Sequence, residues 1–376
     1  MIKQRIEKIQ QKLKEQKEAS AFIVVSPQNR RYMTNISASS GYLMITPENG
    51  YFFTDSRYIE FAKKSLGDYY SVGLYPKSQD SKKHYGDLLN KENIKNILYE
   101  ENYIYLKTKK TFDELFCGFT LSESGQMLEK AREIKDRSEI GNIKKAQDIT
   151  DCAFTHILKE ISSGKKNMTE TDVAAELEYF MKKNGSGPLA FEIIAVSGKK
   201  SSYPHGQPEN VKLSEGFLTM DFGAVYNGYC ADMTRTICLG KPTVRMLEVY
   251  NTVKSAQSAA LGAIKAGAEG LEIDKAARNI INSAGYKDNF GHGLGHSVGL
   301  EIHESPSFPK SEDEKKTDET DETKREKMVL RENTVMTVEP GIYLENEFGV
   351  RIEDLIVVTK EGCLNLTQSG KELIEI

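Results

Sequence analysis

Two aspartates, Asp221 and Asp232, flank an Asn227-Gly228 pair inside a stretch that is otherwise apolar and β-branched. Asn-Gly is the strongest short-range signal for a two-residue β-hairpin, so we expect this pair at the tip of a hairpin. Counting back from the tip places Gly223 opposite Asp232, with Asp221 two residues further along the same strand face. The two carboxylates are therefore predicted to be diagonal neighbours on one face of the sheet.

The surroundings of these aspartates make a bare pair of carboxylates unfavourable. Met220, Phe222, Ala231 and Met233 are apolar, which predicts that this part of the hairpin packs inside the protein. Two buried carboxylates lose hydration and repel each other. A bound cation removes both penalties. The alternative is that both aspartates lie exposed on a polar face of the sheet.

A second cluster is formed by histidines. Three of the six histidines in the chain, His292, His296 and His303, lie within the glycine-rich stretch 290–305. Glycines allow the backbone and a ligand to approach closely because they lack a Cβ atom. A single histidine is more often a hydrogen-bonded core residue, but three between glycines indicate a binding or catalytic site.

Two late segments, 335–343 and 349–359, each read as an apolar strand that carries an acid where a core residue is expected. The acids are Glu339 and Glu353. Arg351 lies two residues before Glu353 and therefore shares its strand face. A buried Arg–Glu ion pair is the alternative to a ligand role for Glu353.

Composition restricts the function classes. The chain has 376 residues, enough for two domains, with 39% hydrophobic and 28% charged residues. A formal net charge of -4 disfavours nucleic acid and anionic membranes as partners. The apolar residues at the N-terminus recur at helical spacing, which predicts a surface helix and not a signal peptide. The sequence contains no stretch of about 18 apolar residues that could span a membrane. Five cysteines without a Cys-x-x-Cys pair indicate a reducing compartment, the cytoplasm.

The organisation of the chain changes near residue 130. Residues 1–130 alternate short strands and helices and predict a small α/β domain. Its predicted strands cover residues 21–26, 42–46 and 51–55. Residues 131–376 predict an α+β domain with a mainly antiparallel sheet, and its first helix is expected to have Ser138 as its N-cap.

The segment 310–327 is almost entirely charged and contains no apolar residue. It cannot contribute a buried face, so it predicts a solvated surface loop. An acidic binding segment is the alternative.

Taken together, these residues resemble the creatinase/methionine aminopeptidase-like metallopeptidases, which have the pita-bread fold. The resemblance runs from about residue 138 to residue 360. It implies that the metal ligands are Asp221, Asp232, His296, Glu339 and Glu353. His303 matches a catalytic histidine of the family that lies seven residues after the ligand histidine, and His205, in YPHG, matches the other active-site histidine.

The proline-specific branch of this family is the closest match. FFTDSRY at 52–58 is similar to the signature of its creatinase-like N-terminal domain, and FGHGLGHSVGLEIHE, EPGIY and GVRIED are similar to its Xaa-Pro aminopeptidases and Xaa-Pro dipeptidases. The resemblance implies an aminopeptidase that hydrolyses the N-terminal Xaa-Pro bond of peptides. An Xaa-Pro dipeptidase (prolidase) with the same site is the alternative. A non-enzymatic binding module of the same fold and a metal-free creatinase-type hydrolase are further alternatives.

The ligand set has a chemical consequence. Four carboxylates balance two divalent cations, and oxygen-rich ligands favour Mn²⁺ while also suiting Co²⁺, Zn²⁺ or Fe²⁺. The expected mechanism uses a metal-bridging hydroxide, with Glu339 passing a proton to the departing proline nitrogen. His303 and His205 are expected to donate hydrogen bonds to the developing oxyanion.

Two further residues, His292 and Arg351, are expected to support the site. His292 is expected either to line the proline pocket or to be structural, and Arg351 to orient Glu353. The branch implies a homodimer, in which Arg57 is a candidate to reach towards the active site of the neighbouring copy.

Overall fold

The computed structural model describes residues 2–163, 168–310 and 327–376. The chain divides into two compact units, Met1–Arg132 and Glu133–Ile376. The predicted surface loop at 310–327 lies outside the described residues, except for its two end residues.

The first unit is a six-stranded mixed sheet with helices. Its strands are β1 (Ser20–Val24), β2 (Tyr42–Ile45), β3 (Gly50–Thr54), β4 (Ser71–Leu74), β5 (Asn96–Tyr99) and β6 (Thr120–Glu123). Its helices are α1 (Ile2–Lys14), α2 (Pro27–Thr34), α3 (Ile59–Leu66), α4 (Ser78–Lys91), α5 (Leu106–Leu115) and α6 (Met127–Arg132). The strand order is β4-β3-β2-β1-β5-β6, with the β1–β5, β5–β6 and β3–β4 pairs parallel. The three predicted strands and the N-terminal helix are confirmed.

The second unit combines helices with antiparallel sheets. Its helices are α7 (Arg137–Ser162), α8 (Glu170–Lys183), α9 (Val244–Ala263) and α10 (Gly270–Ser283), with short 3₁₀ turns at Gly198–Ser202 and Lys287–Asn289. Its first strands are β7 (Ile194–Ser197), β8 (Gly216–Phe222), β9 (Val225–Tyr226), β10 (Tyr229–Cys230) and β11 (Met233–Leu239). The later strands are β12 (His296–Ser297), β13 (Glu304–Ser307), β14 (Val335–Val338), β15 (Gly341–Leu344), β16 (Phe348–Arg351), β17 (Asp354–Val358) and β18 (Cys363–Asn365).

The strands of this unit form a three-stranded sheet, β11-β8-β7, and a five-stranded sheet, β13-β12-β14-β17-β18. Helices α7 and α8 contribute apolar side chains to a core shared with the first sheet. Helices α9 and α10 do the same for the second sheet and for the β15–β16 hairpin. The two sheets therefore each have a face covered by a pair of helices.

The predicted hairpin is confirmed in its register. Tyr226 pairs with Tyr229 across the Asn227-Gly228 tip, and Asp221 pairs with Thr234 further along β8 and β11. Asn227 has a positive φ of 49°, which asparagine tolerates better than most residues. The turn chemistry thus determines which face of the sheet carries the two aspartates.

Helix α7 begins differently from the prediction. Its N-cap is Asp136, whose side chain accepts hydrogen bonds from the backbone N–H groups of Ser138 and Glu139. Glu139 completes a capping box by accepting from the Asp136 backbone N–H. Ser138 as N-cap is therefore wrong, because Asp136 followed three residues later by a glutamate makes the stronger reciprocal cap.

The predicted single strands over 335–343 and 349–359 are also wrong. The first divides at Glu339-Pro340 into β14 and β15, which belong to different sheets. The chain leaves strand β16 after Arg351 and enters β17 at Asp354, and the two strands belong to different sheets. Glu353 lies in the break between them. Ile352 and Glu353 are buried, so the apolar pattern is continuous although the strand is not.

None of the helices in the described ranges combines the length and the apolar character that crossing a bilayer requires.

Candidate metal centre and active site

The hairpin brings two carboxylates to the same point as a third acid from the other sheet. Asp221 lies on β8, and Asp232 directly precedes β11. Single carboxylate oxygens of Asp221, Asp232 and Glu353 all lie within 4.8 Å of one another. Three acids at this separation have the spacing of a metal-ligand group. The predicted diagonal arrangement of the two aspartates is confirmed by this distance.

Glu353 is held at the break between β16 and β17 by hydrogen bonds to a single threonine. Its backbone N–H donates to the carbonyl of Thr234 at 3.1 Å, and its Oε2 accepts from the Thr234 hydroxyl at 2.6 Å. Because Thr234 pairs with Asp221 in the β8–β11 ladder, these bonds fix Glu353 relative to the aspartates.

His296 approaches the acids from strand β12. Its Nε2 lies 3.7 Å from Asp232 Oδ2 and 3.5 Å from Glu339 Oε1. Its Nδ1 donates to the carbonyl of Ser297 at 3.1 Å, which leaves the lone pair of Nε2 directed towards the carboxylates. Burial, reinforced by the neighbouring His303, lowers the pKa of His296 to about 4. The ring is therefore neutral near pH 7, the form that binds a metal ion.

Glu339 follows strand β14 and precedes Pro340 at the turn into β15. Its backbone N–H donates to the carbonyl of Leu294 at 2.9 Å, and its Oε1 accepts from the Thr337 hydroxyl at 3.2 Å. The same hydroxyl accepts from the backbone N–H of His296 at 3.0 Å. Thr337 thus links the two site residues across the β12–β14 pair.

The carboxylates of the site outnumber the positively charged groups that could balance them. Burial and the neighbouring carboxylates raise the pKa values of Asp232 and Glu353 well above their ordinary range. Burial raises the pKa of Glu339 to about 8. Four carboxylates with a single buried guanidinium, Arg351, leave an excess of negative charge in the site.

Arg351 contacts a different acid from the one predicted. Its Nη2 donates to Asp221 Oδ2 at 2.7 Å, and its Nε donates to the Thr234 hydroxyl at 2.9 Å. Its link to Glu353 therefore runs through Thr234.

One oxygen of the site lacks a partner. Among the described residues, no group donates a hydrogen bond to Asp221 Oδ1, although this oxygen is buried. An unpaired buried acceptor is costly unless an ion or a ligand completes it. The orphan oxygen, the neutral His296 ring and the surplus of carboxylates all fit a divalent cation bound by hard oxygen and nitrogen ligands.

All nine residues predicted for the site line one cavity of about 610 Å³. They are Asp221, Asp232, His296, Glu339, Glu353, His205, His292, His303 and Arg351. The rings of His296 and His303 lie 4.3 Å apart. Burial lowers the pKa of His303, and the nearby His205 lowers it further. The structure therefore places two further histidines beside the acids.

His292 is fixed on both ring nitrogens. Its Nδ1 donates to the carbonyl of Gly293 at 2.9 Å, so its Nε2 accepts the hydroxyl of Tyr343 at 2.9 Å. The Tyr343 oxygen in turn accepts from Arg351 Nη1 at 2.8 Å. Burial, with Arg351 nearby, lowers the pKa of His292 to about 3. This ring is a neutral, oriented wall of the cavity.

The sequence pattern did not single out Thr234 or Tyr343. Strand alternation could have identified Thr234, because it lies two residues after Asp232 and so faces the same side. No comparable signal exists for Tyr343, whose partners, His292 and Arg351, come from other segments.

Comparison with known proteins gives matches along nearly the whole chain. Residues 5–134 match the creatinase/prolidase N-terminal domain, and residues 141–360 match metallopeptidase family M24. An Xaa-Pro dipeptidase of Pyrococcus horikoshii is 36% identical over 361 residues, covering 94% of each chain.

Solved structures of similar proteins agree. An Xaa-Pro dipeptidase from Bacillus anthracis superimposes with a TM-score of 0.89 at 35% identity, covering 100% of both chains. An X-Pro aminopeptidase from Thermotoga maritima superimposes with a TM-score of 0.85 at 34% identity, covering 95% of this chain and 98% of the other. The expected fold is confirmed: an α/β creatinase-like unit followed by a pita-bread unit whose sheets are mainly antiparallel.

The matches also decide between the function classes left open by the sequence. A hydrolase is confirmed over a non-enzymatic binding module, and membership of the family implies divalent metal binding. The chain belongs to metallopeptidase family M24, in the group whose relatives are Xaa-Pro peptidases.

Proposed function

We propose that this protein is an aminopeptidase that hydrolyses the bond between the first residue of a peptide and a proline in second position. The observation that carries the proposal is the convergence of four carboxylates and a neutral histidine in one cavity, with two more histidines beside them. The names of the relatives, which are Xaa-Pro peptidases, support the choice of substrate.

The proposed ligands are the five residues with the donor atoms that hard divalent ions prefer: Asp221, Asp232, His296, Glu339 and Glu353. Two ions are proposed because four carboxylates and one deprotonated water balance two dications and the Arg351 guanidinium, whereas one ion leaves a net negative charge. Mn²⁺ fits the oxygen-rich set best, with Co²⁺, Zn²⁺ and Fe²⁺ also compatible. When bound, the ions supply an acidified water and polarise the scissile carbonyl.

The protein's own groups handle protons and orientation. Glu339 lines the cavity beside the other acids, so its carboxylate is placed to take up a proton and to release it to the departing proline nitrogen. His303, whose pKa burial lowers, is a neutral ring whose N–H can donate to the carbonyl oxygen of the substrate. His205, which also lines the cavity, is proposed for the same role.

Proline limits which enzymes can act on such a bond. Its nitrogen carries no hydrogen, so an enzyme that binds the N–H of the scissile bond cannot use it. The fixed His292–Tyr343 pair and the apolar side chains of Phe191 and Ile302 give the cavity a wall suited to a ring. We propose this wall as the proline pocket.

The test combines metal analysis with a peptidase assay. The purified protein is stripped with a chelator, assayed on an Xaa-Pro-Xaa peptide, and then supplied with Mn²⁺. We expect about two equivalents of metal to bind, no activity in the stripped protein and recovery on addition of the ion. Full activity without detectable metal would contradict the proposal.

A second candidate is an Xaa-Pro dipeptidase. The printed names of the relatives from Bacillus anthracis and Pyrococcus horikoshii favour it. The two candidates share the site and differ in substrate length. Comparing kcat/KM for an Xaa-Pro dipeptide with that for the matching tripeptide separates them, since a dipeptidase prefers the shorter substrate.

We also propose a homodimer, on the strength of the resemblance to this branch. Arg57 is bonded to Asp55 through Nε at 3.1 Å and Nη2 at 2.8 Å, and its side chain is 68% exposed. Light scattering tests the assembly, and a monomer that is fully active at nanomolar concentration contradicts it.

The compartment proposed is the cytoplasm. None of the five cysteines, all of which lie in the described ranges, forms a disulfide bond. Free thiols persist where the environment is reducing.

A further inference from the structure

A buried lysine lies next to the site without lining its cavity. The side chain of Lys135 is 0% exposed, and its Nζ donates to Ser297 Oγ at 2.8 Å and to Glu304 Oε2 at 3.2 Å. Removing an ammonium and a carboxylate from water is costly, and an apolar pair of similar volume is often at least as stable. Stability alone therefore gives little reason for this ion pair.

Ser297 and Glu304, which both accept from the Lys135 ammonium, follow the two histidines that lie in ring contact. Ser297 comes directly after His296, and Glu304 comes directly after His303. Ser297 and Glu304 pair across strands β12 and β13, and the register shifts between His296 and Ser297. Such an irregularity redirects the neighbouring side chains. The Lys135 ammonium thus connects Ser297 and Glu304, the residues that directly follow the two histidines.

The loop between these strands closes on the Glu304 carboxylate. Glu304 Oε1 accepts from the backbone N–H of Glu301 at 3.1 Å. A Cβ atom on Gly299 would lie 2.5 Å from the same oxygen, so only glycine permits this approach. The Gly299 carbonyl accepts from the Cys230 backbone N–H at 2.8 Å. The carboxylate therefore organises residues 299–304, in which His303 directly precedes strand β13.

Lys135 is itself a fixed point. Its backbone N–H donates to the carbonyl of Asn333 at 3.0 Å, and the next residue is the N-cap of helix α7. The capping-box partner, Glu139, accepts from the Tyr229 hydroxyl at 3.0 Å. The backbone that carries the ammonium is thus fixed by the bond to Asn333 and by the start of helix α7.

We propose that Lys135 and Glu304 form a positioning pair that orients His303 towards the reacting carbonyl of the substrate. The inference rests on the proposed role of His303. Neither residue of the pair touches the substrate. Their effect passes through the backbone of the 299–304 loop, which sets the His303 ring 4.3 Å from the His296 ring.

The first experiment measures kinetics in the metal-loaded protein. Lys135→Met and Glu304→Gln are each expected to lower kcat by roughly 10- to 100-fold, the usual effect of losing a residue that orients a site group, with KM within about twofold. In a His303→Ala background, Lys135→Met should add no further loss. A full additional loss in that background overturns the proposal, because Lys135 then acts elsewhere.

A matched control separates positioning from stability. Val253→Ala truncates a fully buried side chain of helix α9, away from the loop, and should lower Tm while leaving kcat unchanged. Lys135→Met can also lose stability, because it leaves the Glu304 carboxylate without its ammonium. If that variant does not fold, the double variant Lys135→Met/Glu304→Gln carries the same measurements, since it removes both charges of the buried pair.

The second experiment does not depend on activity. The chain has six histidines, so their ring signals can be resolved by NMR after ¹³C-histidine labelling. Glu304→Gln should shift or broaden the signals of His303 and His296 but leave His84 and His156 unchanged. Unchanged His303 signals overturn the proposal. If the wild-type protein fails to cleave an Xaa-Pro peptide, the proposed function fails, and the ring signals still decide whether the pair orients His303.

Discussion

Glu353 and Asp354 are neighbours in the chain and are almost equally buried, at 1% and 0% exposed, yet they belong to opposite electrostatic environments. Asp354 accepts from Arg235 Nη2 at 2.7 Å and from Lys371 Nζ at 2.8 Å. Burial alone raises the pKa of Asp354, but the two cations outweigh it and the pKa is lowered. Its charge is fully paired by the protein.

Glu353 has no such balance. Burial, together with Glu339 and Asp221, raises its pKa well above the ordinary range, and Arg351 only partly offsets this. The difference between the two neighbours teaches that burial does not distinguish a structural acid from a proposed metal ligand. The balance of charge does, because a buried surplus of one sign needs a partner that the chain itself does not supply.

The largest contrast should come from neutralising each neighbour in turn. Glu353→Gln should lose metal and reduce kcat/KM by at least the roughly 10²–10³-fold that follows loss of one electrostatic partner. Asp354→Asn should lower the free energy of unfolding by about 3–5 kcal/mol, as breaking a buried ion pair does, while the folded fraction keeps its metal and its kcat. Metal analysis and urea unfolding of both variants make the comparison. Equal loss of metal in the two variants would show that charge balance does not separate the roles of Glu353 and Asp354.

A smaller effect on activity is expected beyond the ligands. His303→Ala should lower kcat by roughly 10²–10³-fold with the metal content unchanged, because it removes a donor to the transition state and no ligand. His156→Ala serves as the control, since His156 pairs with Glu176 on the surface between α7 and α8 at 2.6 Å. Loss of metal in His303→Ala would make His303 a ligand and change the assignment.

The surplus of carboxylates also predicts a pH dependence of stability in the metal-free protein. The pKa of Glu339 is about 8 when folded and about 4.3 when unfolded, so the folded state holds a proton that the unfolded state releases. The stability that this bound proton gives to the folded state is fully present below about pH 4.3 and is lost as the pH rises through about 8.

The histidines act in the opposite direction but at lower pH. The pKa values of His296 and His292 are lowered to about 4 and about 3, so their contribution changes only below about pH 6.5. Between pH 6.5 and 8.5 the Tm of metal-free protein should therefore fall, and saturating Mn²⁺ should flatten the decline. Glu339→Gln should show a weaker decline than wild type. A Tm that rises over this range would show that the acids are already compensated.

The smallest effect is expected for the charged segment within 310–327. Residues 311–326 alternate acids and bases without an apolar residue. Replacing them with a short Gly-Ser linker should leave kcat within about twofold and Tm nearly unchanged, as for most surface changes. Dipeptide and longer peptide substrates are compared in the same assay. A sharp rise in KM for the longer peptides alone would instead assign the segment to substrate entry.

The sequence was most informative where local chemistry decides the structure. The Asn227-Gly228 turn determines its own register, so the proximity of Asp221 and Asp232 could be derived by counting along two strands. The grouping of the histidines with Glu339 and Glu353 came from resemblance, because no local rule connects segments so far apart.

The remaining features depend on tertiary contacts that leave no mark on the pattern. Residues 349–359 are continuously apolar around their charges, so the strand break at Glu353 could not be seen. Arg351 was expected beside Glu353, two residues away, but it bonds Asp221, 130 positions away in the sequence. The partners of Lys135 lie 162 and 169 positions away and were equally beyond reach.

The hydrogen bonds between Thr234 and Glu353 have a consequence for the order of folding. Asp221 and Asp232 share one hairpin, which can form early because its contacts are local. Glu353 joins them through bonds to Thr234 and Arg235, across 119 and 118 positions of sequence, and closing so long a loop is entropically costly and slow. A folding intermediate that has the hairpin alone holds two acids and no complete site. Metal ions should thus bind the finished domain, and tight metal uptake is a measure of completed tertiary structure.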